Sequence, residues 1–194
     1  RNNFGQLGLG NSTYYFASPQ QVGALTTWSS IACLMTQTNA IKTDGTLWTW
    51  GRNNNFGQLG LGNLTNYSSP MQVGALTTWS NISSGGVFMA ATTTGGTLYA
   101  WGYNGSGALG LGNTVYKSSP NQVGALTTWS SIACGRVSTN AIKTDGTLWA
   151  WGDNSAGQLG TGNITNYSSP KQVGALTTWY TVAGGYTFTL ALKY

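Results

Sequence analysis

The chain has 194 residues, only 6% of them charged, and eight Lys and Arg residues against three Asp give a net charge of +5. Because it contains no His and no Glu, it offers no catalytic triad, paired-carboxylate site or zinc-ligand spacing, and we predict no enzyme activity, metal or cofactor. The cations are scattered rather than clustered, which argues against a nucleic-acid surface, and so low a charged fraction is more typical of secreted, cell-surface or virion proteins than of cytosolic ones.

The seven-residue sequence VGALTTW recurs along the chain at intervals of 51, 50 and 50 residues, beginning at Val22, Val73, Val123 and Val173. Self-similarity at this period indicates a repeat architecture. The sequence therefore predicts a single repeat domain, residues 1–194. Its units are 1–27 (partial), 28–78, 79–128, 129–178 and 179–194 (partial).

Each unit contains about four short extended segments, which the third unit shows in chain order. Residues 130–134 predict the first strand. Residues 138–144 run directly into Asp145-Gly146 and then residues 147–151, and two extended runs separated by Asp-Gly predict a hairpin with a type I′ turn. After a Gly- and Asn-rich loop, residues 169–173 predict a fourth strand at an outer edge, because their proline cannot donate to a central ladder. We find no helical period.

The third predicted strand is apolar on both faces, since Trp149 and Trp151 point to one side and Leu148 to the other. A strand of this kind needs cover on both sides, so we predict an all-β β-propeller of about 50-residue four-stranded blades, with about four repeats in this chain. Recurring tryptophans are expected to fill the junctions between blades. They are Trp28, Trp79, Trp129 and Trp179 before the first strand, and Trp50, Trp101 and Trp151 in the third.

The run IACGRVSTNAIKTDGTLWAWGDNSAGQLGTGN, residues 132–163, resembles the repeat of the regulator of chromosome condensation family. That repeat has a Gly-rich turn, His-Thr-Leu-Ala-Leu, Asp-Gly, an aromatic strand ending in Trp-Gly, and Gly-Gln-Leu-Gly. The family's histidine is replaced here by Gln37, Phe88, Ser138 and Phe188.

The resemblance implies a ring that usually has seven blades, of which this chain would form part. The chain has four copies of VGALTTW but three of the Trp-Gly strand, so about nine residues resembling DGTLWAWG would complete the last unit. We therefore expect either a fragment or a final blade completed by another chain. Either case leaves strand edges, which favour assembly.

The two cysteines, Cys33 and Cys134, occupy the same register in different units, and we predict small buried thiols rather than a disulfide. No apolar run reaches the length of a membrane span. The Gly-rich sequence GQLGLG superficially resembles a phosphate-binding loop, but it lacks the Lys-Ser/Thr of a P-loop, so we predict a tight turn between strands.

Five side chains are candidates for partner contacts. Arg52 and Arg136 interrupt positions that are otherwise repeated, although solvated surface cations would explain them as well. Tyr67, Tyr116 and Tyr167 are predicted to lie in the long loop, where they could stack on sugars or grip a protein; the alternative is that they cover the outer edge of each blade.

Asn-x-Ser/Thr sequons make a glycan a further candidate partner, although they also arise by composition in a chain so rich in these residues. They occur at Asn11, Asn63, Asn66, Asn81, Asn104, Asn163 and Asn166.

Three functions remain open from the sequence. The first is a non-enzymatic binding or structural module of an extracellular, appendage or virion surface, with protein partners, adhesive contacts or self-assembly. The second, implied by the family resemblance alone, is regulation of a small GTPase by nucleotide exchange together with chromatin binding. The third is a protein inhibitor that acts through one face of the ring.

Overall fold

The computed structural model describes residues 1–24 and 26–194, except for the side chain of residue 34. The described residues form fourteen strands and no helix, which confirms the all-β prediction. Three sheets contain four strands each, and a fourth contains two. Within every sheet the strands are antiparallel and follow chain order.

Each sheet begins at one of the tryptophans that end the VGALTTW sequence. The first sheet contains β1 (Trp28–Leu34), β2 (Gln37–Lys42), β3 (Leu47–Gly51) and β4 (Tyr67–Gln72). The second contains β5 (Trp79–Ser84), β6 (Phe88–Thr93), β7 (Leu98–Gly102) and β8 (Lys117–Gln122). The third contains β9 (Trp129–Cys134), β10 (Ser138–Lys143), β11 (Leu148–Gly152) and β12 (Tyr167–Gln172), and the fourth contains β13 (Trp179–Gly184) and β14 (Thr189–Lys193).

The predicted hairpin between the second and third strands is present, but its turn type was predicted wrongly. Gly45 has φ 75° while Asp44 does not have positive φ, and the Gly45 N–H donates to the Lys42 carbonyl at 2.9 Å. This geometry is a type I turn followed by a left-handed glycine, because a type I′ turn needs positive φ at both central residues. The same arrangement recurs at Gly146.

The turn carboxylate holds the hairpin by two local hydrogen bonds. The Thr46 hydroxyl donates to Asp44 Oδ1 at 2.6 Å, and the Thr46 N–H donates to the same oxygen at 2.9 Å. These bonds stabilise the ionised form and lower the pKa of the Asp44 carboxyl. Thr147 does the same for Asp145.

Neighbouring sheets pack face to face, with their first strands adjacent: β1 contacts β5, β5 contacts β9 and β9 contacts β13. The core lies between the sheets rather than inside any one of them. One cluster joins Ile41 and Leu47 of the first sheet, together with Val73 just after it, to the second sheet. Its members in the second sheet include Trp79, Ile82, Met89 and Trp101. The described residues thus form an arc of propeller blades, and the ring is not closed within them.

Burial of a repeated residue depends on whether its sheet has a neighbour. Trp129 is 3% exposed between the second and third sheets, whereas Trp28, at the same position of the first sheet, is only half-buried. Ile132 is 7% exposed and its equivalent Ile31 is 68% exposed. Identical side chains therefore contribute unequally to stability, as expected when each unit contacts only its neighbours.

The dependence of burial on a neighbouring sheet also makes the prediction of two buried cysteines wrong for Cys33. Both thiols are free, and Cys134 is buried as predicted, but Cys33 is exposed. Ser83 of the preceding sheet covers Cys134, since its hydroxyl accepts the Cys134 N–H at 2.9 Å and its carbonyl lies 3.5 Å from Sγ. Within the described residues, Cys33 lies in the first sheet of the arc and has no such cover.

The difference between equivalent tryptophans can be measured. Trp129→Ala should lower the free energy of unfolding by about 3 to 5 kcal/mol, because it empties a closed site between two sheets. Trp28→Ala should cost less than half as much, since solvent already reaches that indole. Urea unfolding followed by circular dichroism would measure both, and equal losses would contradict the dependence on a neighbouring sheet.

The turn carboxylates should make stability depend on pH in acid. Since the pKa values of Asp44 and Asp145 are lowered from 3.8 on folding, their contribution is complete above pH 3.8 and is lost as pH falls through the folded values. The urea concentration at the unfolding midpoint should therefore decrease as the pH is lowered below 4. In the double variant Asp44→Asn and Asp145→Asn, this acid dependence should be lost, so the urea midpoint should stay the same from pH 4 to pH 3. If the midpoint of the double variant decreased with pH as steeply as that of the original chain, the assignment would be refuted.

Candidate binding surface on the loop face

The antiparallel strand order gives the arc two different faces. One, which we call the loop face, carries the connections between first and second strands and between third and fourth strands. These connections are 35–36, 85–87, 135–137, 185–188, 52–66, 103–116 and 153–166. The opposite turn face carries the hairpin turns 43–46, 94–97 and 144–147 and the links between sheets, 73–78, 123–128 and 173–178.

A buried asparagine fixes each long loop of the loop face. Asn53 donates from Nδ2 to the Asn63 carbonyl at 2.8 Å and accepts the Leu59 N–H on Oδ1 at 3.0 Å. Its side chain is inaccessible to solvent. The pattern recurs at Asn104 and Asn154, and in the first segment of the chain at Asn2. The long loops are therefore a rigid scaffold, and the buried amide of Asn104 leaves no room for a glycan.

Where a complete sheet follows, the Gly-rich sequence of the loop packs against the third strand of that sheet. Trp101 Nε1 donates to the Gln58 carbonyl at 3.2 Å, and Trp151 Nε1 donates to the Ala108 carbonyl at 2.9 Å. A Cβ on Gly60 would lie 2.6 Å from Trp101 Nε1, so this position requires glycine. Gly60 itself closes a tight turn, its N–H donating to the Gly57 carbonyl at 3.0 Å, in the place where the sequence predicts a turn rather than a phosphate loop.

The other set of tryptophans makes no such bond. The indole nitrogens of the four tryptophans that open the sheets are buried and have no hydrogen-bond partner among the described residues. The Trp129 ring instead meets Trp149 edge to face, at 6.2 Å between ring centroids. These indoles act as apolar filler, whereas the third-strand indoles also fix the preceding loop.

Two outward positions of the loop face carry different residues in different repeats, although the loop structure around them is the same. The residue after the third strand is Arg52, Tyr103 or Asp153, and the corresponding residue in the first partial unit is Arg1. The second variable position lies between the first and second strands. It is occupied by Met35, Gly86, Arg136 and Tyr186.

The four residues of the second position line one cavity of about 300 Å3. The Arg136 guanidinium lies 4.6 Å from the centroid of the Tyr186 ring. Gly86 donates its N–H to the Arg136 carbonyl at 2.8 Å, which ties the loops of neighbouring sheets together. The cavity therefore offers a cation and an aromatic ring on a supported backbone.

A second cavity, of about 490 Å3, adjoins the first and shares Met35, Gly86 and Arg136 with it. Phe56 and Tyr103 line its other side, with ring centroids 5.1 Å apart, and Asp153 lies at its border. The Asp153 carboxylate accepts a bond of 2.6 Å from Gln158 Nε2. Arg136 thus lies between two cavities that are lined largely by apolar and aromatic groups.

Of the five contact residues predicted from the sequence, three lie in connections of the loop face and two lie in strands. Arg52 and Arg136 both lie on the loop face, Arg52 with its guanidinium 4.7 Å from the Phe4 ring centroid. Tyr116 is exposed and packs on Phe56 at 5.2 Å. The prediction that Tyr67 and Tyr167 lie in the loop is wrong, because they begin β4 and β12.

These two tyrosines are half-buried, and the hydroxyl of each accepts a hydrogen bond from an asparagine of the preceding loop. The Tyr67 hydroxyl accepts from Asn63 Nδ2 at 3.2 Å, and the Tyr167 hydroxyl accepts from Asn163 Nδ2 at 3.0 Å. Sequence reasoning also missed Met35, Tyr103 and Tyr186. Each could have been found by comparing the same position across the repeats.

A family model described as the regulator of chromosome condensation (RCC1) repeat matches residues 44–92, 95–142 and 145–192, and a second model of the same description matches residues 129–158. The chain belongs to the RCC1 repeat family. The match covers most of its length, so the family resemblance of the sequence is confirmed.

Two curated relatives match part of the chain. The X-linked retinitis pigmentosa GTPase regulator homolog of Caenorhabditis elegans is 39% identical over 79 residues, which cover 39% of this chain and 6% of that protein. The ultraviolet-B receptor UVR8 of Arabidopsis thaliana is 36% identical over 104 residues, which cover 52% of this chain and 23% of that protein. The chain thus matches less than a quarter of either relative.

Solved RCC1-type structures share the fold. Human WBSCR16 superposes with a TM-score of 0.85 at 23% identity, over 99% of this chain and 51% of that one. Prp20p from Saccharomyces cerevisiae, described with its binding to Gsp1p and histones, superposes with a TM-score of 0.82 at 19% identity, over 96% of this chain and 49% of that one. These likenesses confirm the propeller-type fold, and the chain spans about half of each structure.

Three further observations bear on the chemistry of this chain. No group of three or more His, Cys, Asp or Glu in residues 1–24 and 26–194 could hold a metal ion. The same residues include no helix that could cross a lipid bilayer. Cys134 lines the first cavity, but burial raises the pKa of its thiol to about 12, so it stays protonated near neutral pH.

The two thiols should react very differently with a disulfide reagent such as Ellman's reagent. In the native chain at pH 8, Cys33 should react at once, while Cys134 should react only as fast as the chain unfolds. Cys33→Ser should therefore abolish rapid labelling, and both thiols should react in urea. Rapid labelling of the Cys33→Ser variant would show that Cys134 is accessible.

Proposed function

We propose that this chain is part of a non-enzymatic protein-binding propeller and that its partner binds the loop face. The proposal is carried by one observation: the loops are alike, yet two positions per repeat carry different residues, and all of these residues except Arg1 and Arg52 line two adjoining cavities. Loops that vary on a rigid scaffold are where proteins place their binding residues. The turn face, by contrast, repeats VGALTT in every link between sheets.

The chemistry of the loop face favours a partner segment that presents a carboxylate beside apolar side chains. The chain's own aspartates are engaged by Thr46, Thr147 and Gln158, while Arg52 and Arg136 lie over aromatic rings. A guanidinium supported in this way can still donate two parallel bonds to a carboxylate. Arginine and tyrosine are also the residues that most often dominate the energy of protein interfaces.

A second candidate is regulation of a small GTPase. It is supported by two similar proteins, one a GTPase regulator homolog and the other described with its binding to Gsp1p and histones. A nucleotide-release assay with small GTPases tests this activity directly. Location on an extracellular, cell or virion surface, adhesive contacts, glycan binding and inhibition of a partner remain predictions of the sequence.

The loop-face proposal can be tested with two variants matched in charge. The chain is immobilised, proteins from an extract of the source organism are captured, and each captured protein is purified and titrated against the chain. The double variant Arg52→Ala and Arg136→Ala should weaken specific binding at least tenfold, because both guanidinium groups are lost.

The control is Lys42→Ala with Lys143→Ala, which removes the same charge from the turn face. It should change affinity less than twofold, provided that circular dichroism shows both variants folded. Equal weakening by the two double variants would indicate nonspecific electrostatic attraction, and preserved binding by the loop-face variant would refute the proposal.

A further inference from the structure

The two variable positions of each complete sheet are neighbours joined by one backbone hydrogen bond. The N–H of the residue after the third strand donates to the carbonyl of the residue that follows the other variable position. These donors and acceptors are Arg52 and Thr36, Tyr103 and Val87, and Asp153 and Val137, at 2.8 to 3.0 Å. Among the three complete sheets, only the third pairs opposite charges in this way, Arg136 with Asp153.

These two charges are held by other groups instead of by each other. Asp153 Oδ2 accepts bonds from Gln158 Nε2 at 2.6 Å and from the Ser155 hydroxyl at 3.1 Å. Asp153 Oδ1 accepts only a long bond of 3.4 Å from the Ser155 N–H, although a carboxylate can accept about four bonds in all. The Arg136 guanidinium lies against the uncharged ring of Tyr186. Both charges therefore remain available to a binding partner.

The second cavity of the loop face opens onto both of these charges. Arg136 and Asp153 line it together, and Phe56 and Tyr103 supply aromatic surface from the loops of the two preceding sheets. A Cβ on Gly86 would lie 2.8 Å from the Arg136 carbonyl oxygen and 3.2 Å from its Cγ, so the space beside the arginine depends on this glycine. The volume of about 490 Å3 is within the range of ligand-binding sites.

Opposite charges beside apolar surface favour an occupant that carries both signs. A charge that leaves water is costly to bury unless an opposite charge meets it. A segment with only acidic groups would be repelled by Asp153, and one with only basic groups would be repelled by Arg136. The rings of Phe56 and Tyr103 offer contact to an apolar side chain in the same cavity.

We propose that the second cavity binds a segment of the partner protein in which an acidic, an apolar and a basic side chain lie within a few residues of one another. The acidic group bonds to Arg136, whose guanidinium can donate two parallel bonds to it. The basic group bonds to Asp153, and the apolar side chain contacts Phe56 and Tyr103. Recognition of this kind rests on the proposed function, that a partner protein binds the loop face, and adds to it the requirement for a basic group.

The chain itself shows that the loops accept other charges at these positions. Asp153 corresponds to Arg52 of the first sheet, so Asp153→Arg places an arginine where an equivalent loop already carries one. Asp153→Asn is a milder change, because the amide oxygen can still accept the bond from Gln158 Nε2 while the charge is removed. The charges can therefore be altered without rebuilding the loop.

The experiment selects a phage library of random seven-residue peptides on the immobilised 194-residue chain. The enriched peptides are then synthesised and titrated by fluorescence anisotropy, and each should carry an acidic and a basic residue near a large apolar one. Arg136→Gln and Asp153→Asn should each weaken peptide binding about tenfold or more, because each leaves one charge of the peptide without its partner. Asp145→Asn removes the same charge from the turn face and should leave binding unchanged.

Exchange of the two charges tests whether these side chains recognise the peptide directly. The double variant Arg136→Asp with Asp153→Arg should bind the enriched peptides about tenfold or more weakly. Peptides in which the acidic and basic residues are exchanged should bind this variant more tightly than they bind the original chain. Circular dichroism shows whether the double variant is folded, and the single variant Asp153→Asn tests the proposal if it is not.

Three results would overturn the proposal: no enriched peptide, enriched peptides that lack one of the two charges, or equal binding by the chain and its Asp153→Asn variant. Displacement of the peptides by an equal concentration of free leucine would also refute it, because the cavity would then be a site for a small zwitterion. A captured partner whose binding depends on Arg52 and Arg136 but not on Asp153 would support the proposed function and refute this specificity.

Discussion

Neighbouring blades are joined by an indole that lies against a glycine of the preceding loop and donates its N–H to a carbonyl of that loop. Trp101 shows the whole contact: the bond to Gln58 and the close approach of Gly60 require each other, since any side chain at residue 60 would collide with the ring. This explains why Gly-x-Leu-Gly-x-Gly and Trp-Gly recur together in the sequence. They are the two halves of one junction.

The same contact separates the constant from the variable parts of the chain. The buried asparagine fixes each long loop, and a third-strand indole also fixes the loop wherever a complete sheet follows, so the same loop hydrogen bonds recur along the chain. Only the side chains directed away from this scaffold can change without disturbing a junction. Arg52 and Tyr103 replace one another at such a position; Asp153, at the same position of the third unit, is also bonded to Gln158 of its own loop.

Much of the fold could be predicted from the sequence because its signals are local. The Asp-Gly hairpins follow from segments shorter than twenty residues. The turn type was missed because Asp-Gly suits both a type I′ turn and a type I turn followed by a left-handed glycine; the backbone of Asp44 decides between them.

Burial could not be predicted in the same way, because it depends on the neighbouring sheet. Cys33 and Cys134 have the same local sequence, yet one is exposed and the other is covered by Ser83. The candidate surface was found in part: Arg52 and Arg136 stand out as interruptions of a repeat. Met35 and Tyr186 occupy the same variable position as Arg136. They were missed because one hydrophobic or aromatic residue, taken by itself, does not show whether its side chain points to the core or to the surface; only comparison of that position across the repeats marks them.

The loops of the candidate surface are coupled to one another, which bears on how a partner would bind. The Arg136 carbonyl accepts the N–H of Gly86 from the preceding sheet, and Gly135 bonds within its own sheet to Ser138. These two loops are therefore held in place by the chain's own hydrogen bonds before any partner binds. Ordering flexible groups is a main cost of association, so a surface ordered in advance retains more of its contact energy as affinity. A propeller arc with few charges can in this way bind through a small number of well-placed side chains.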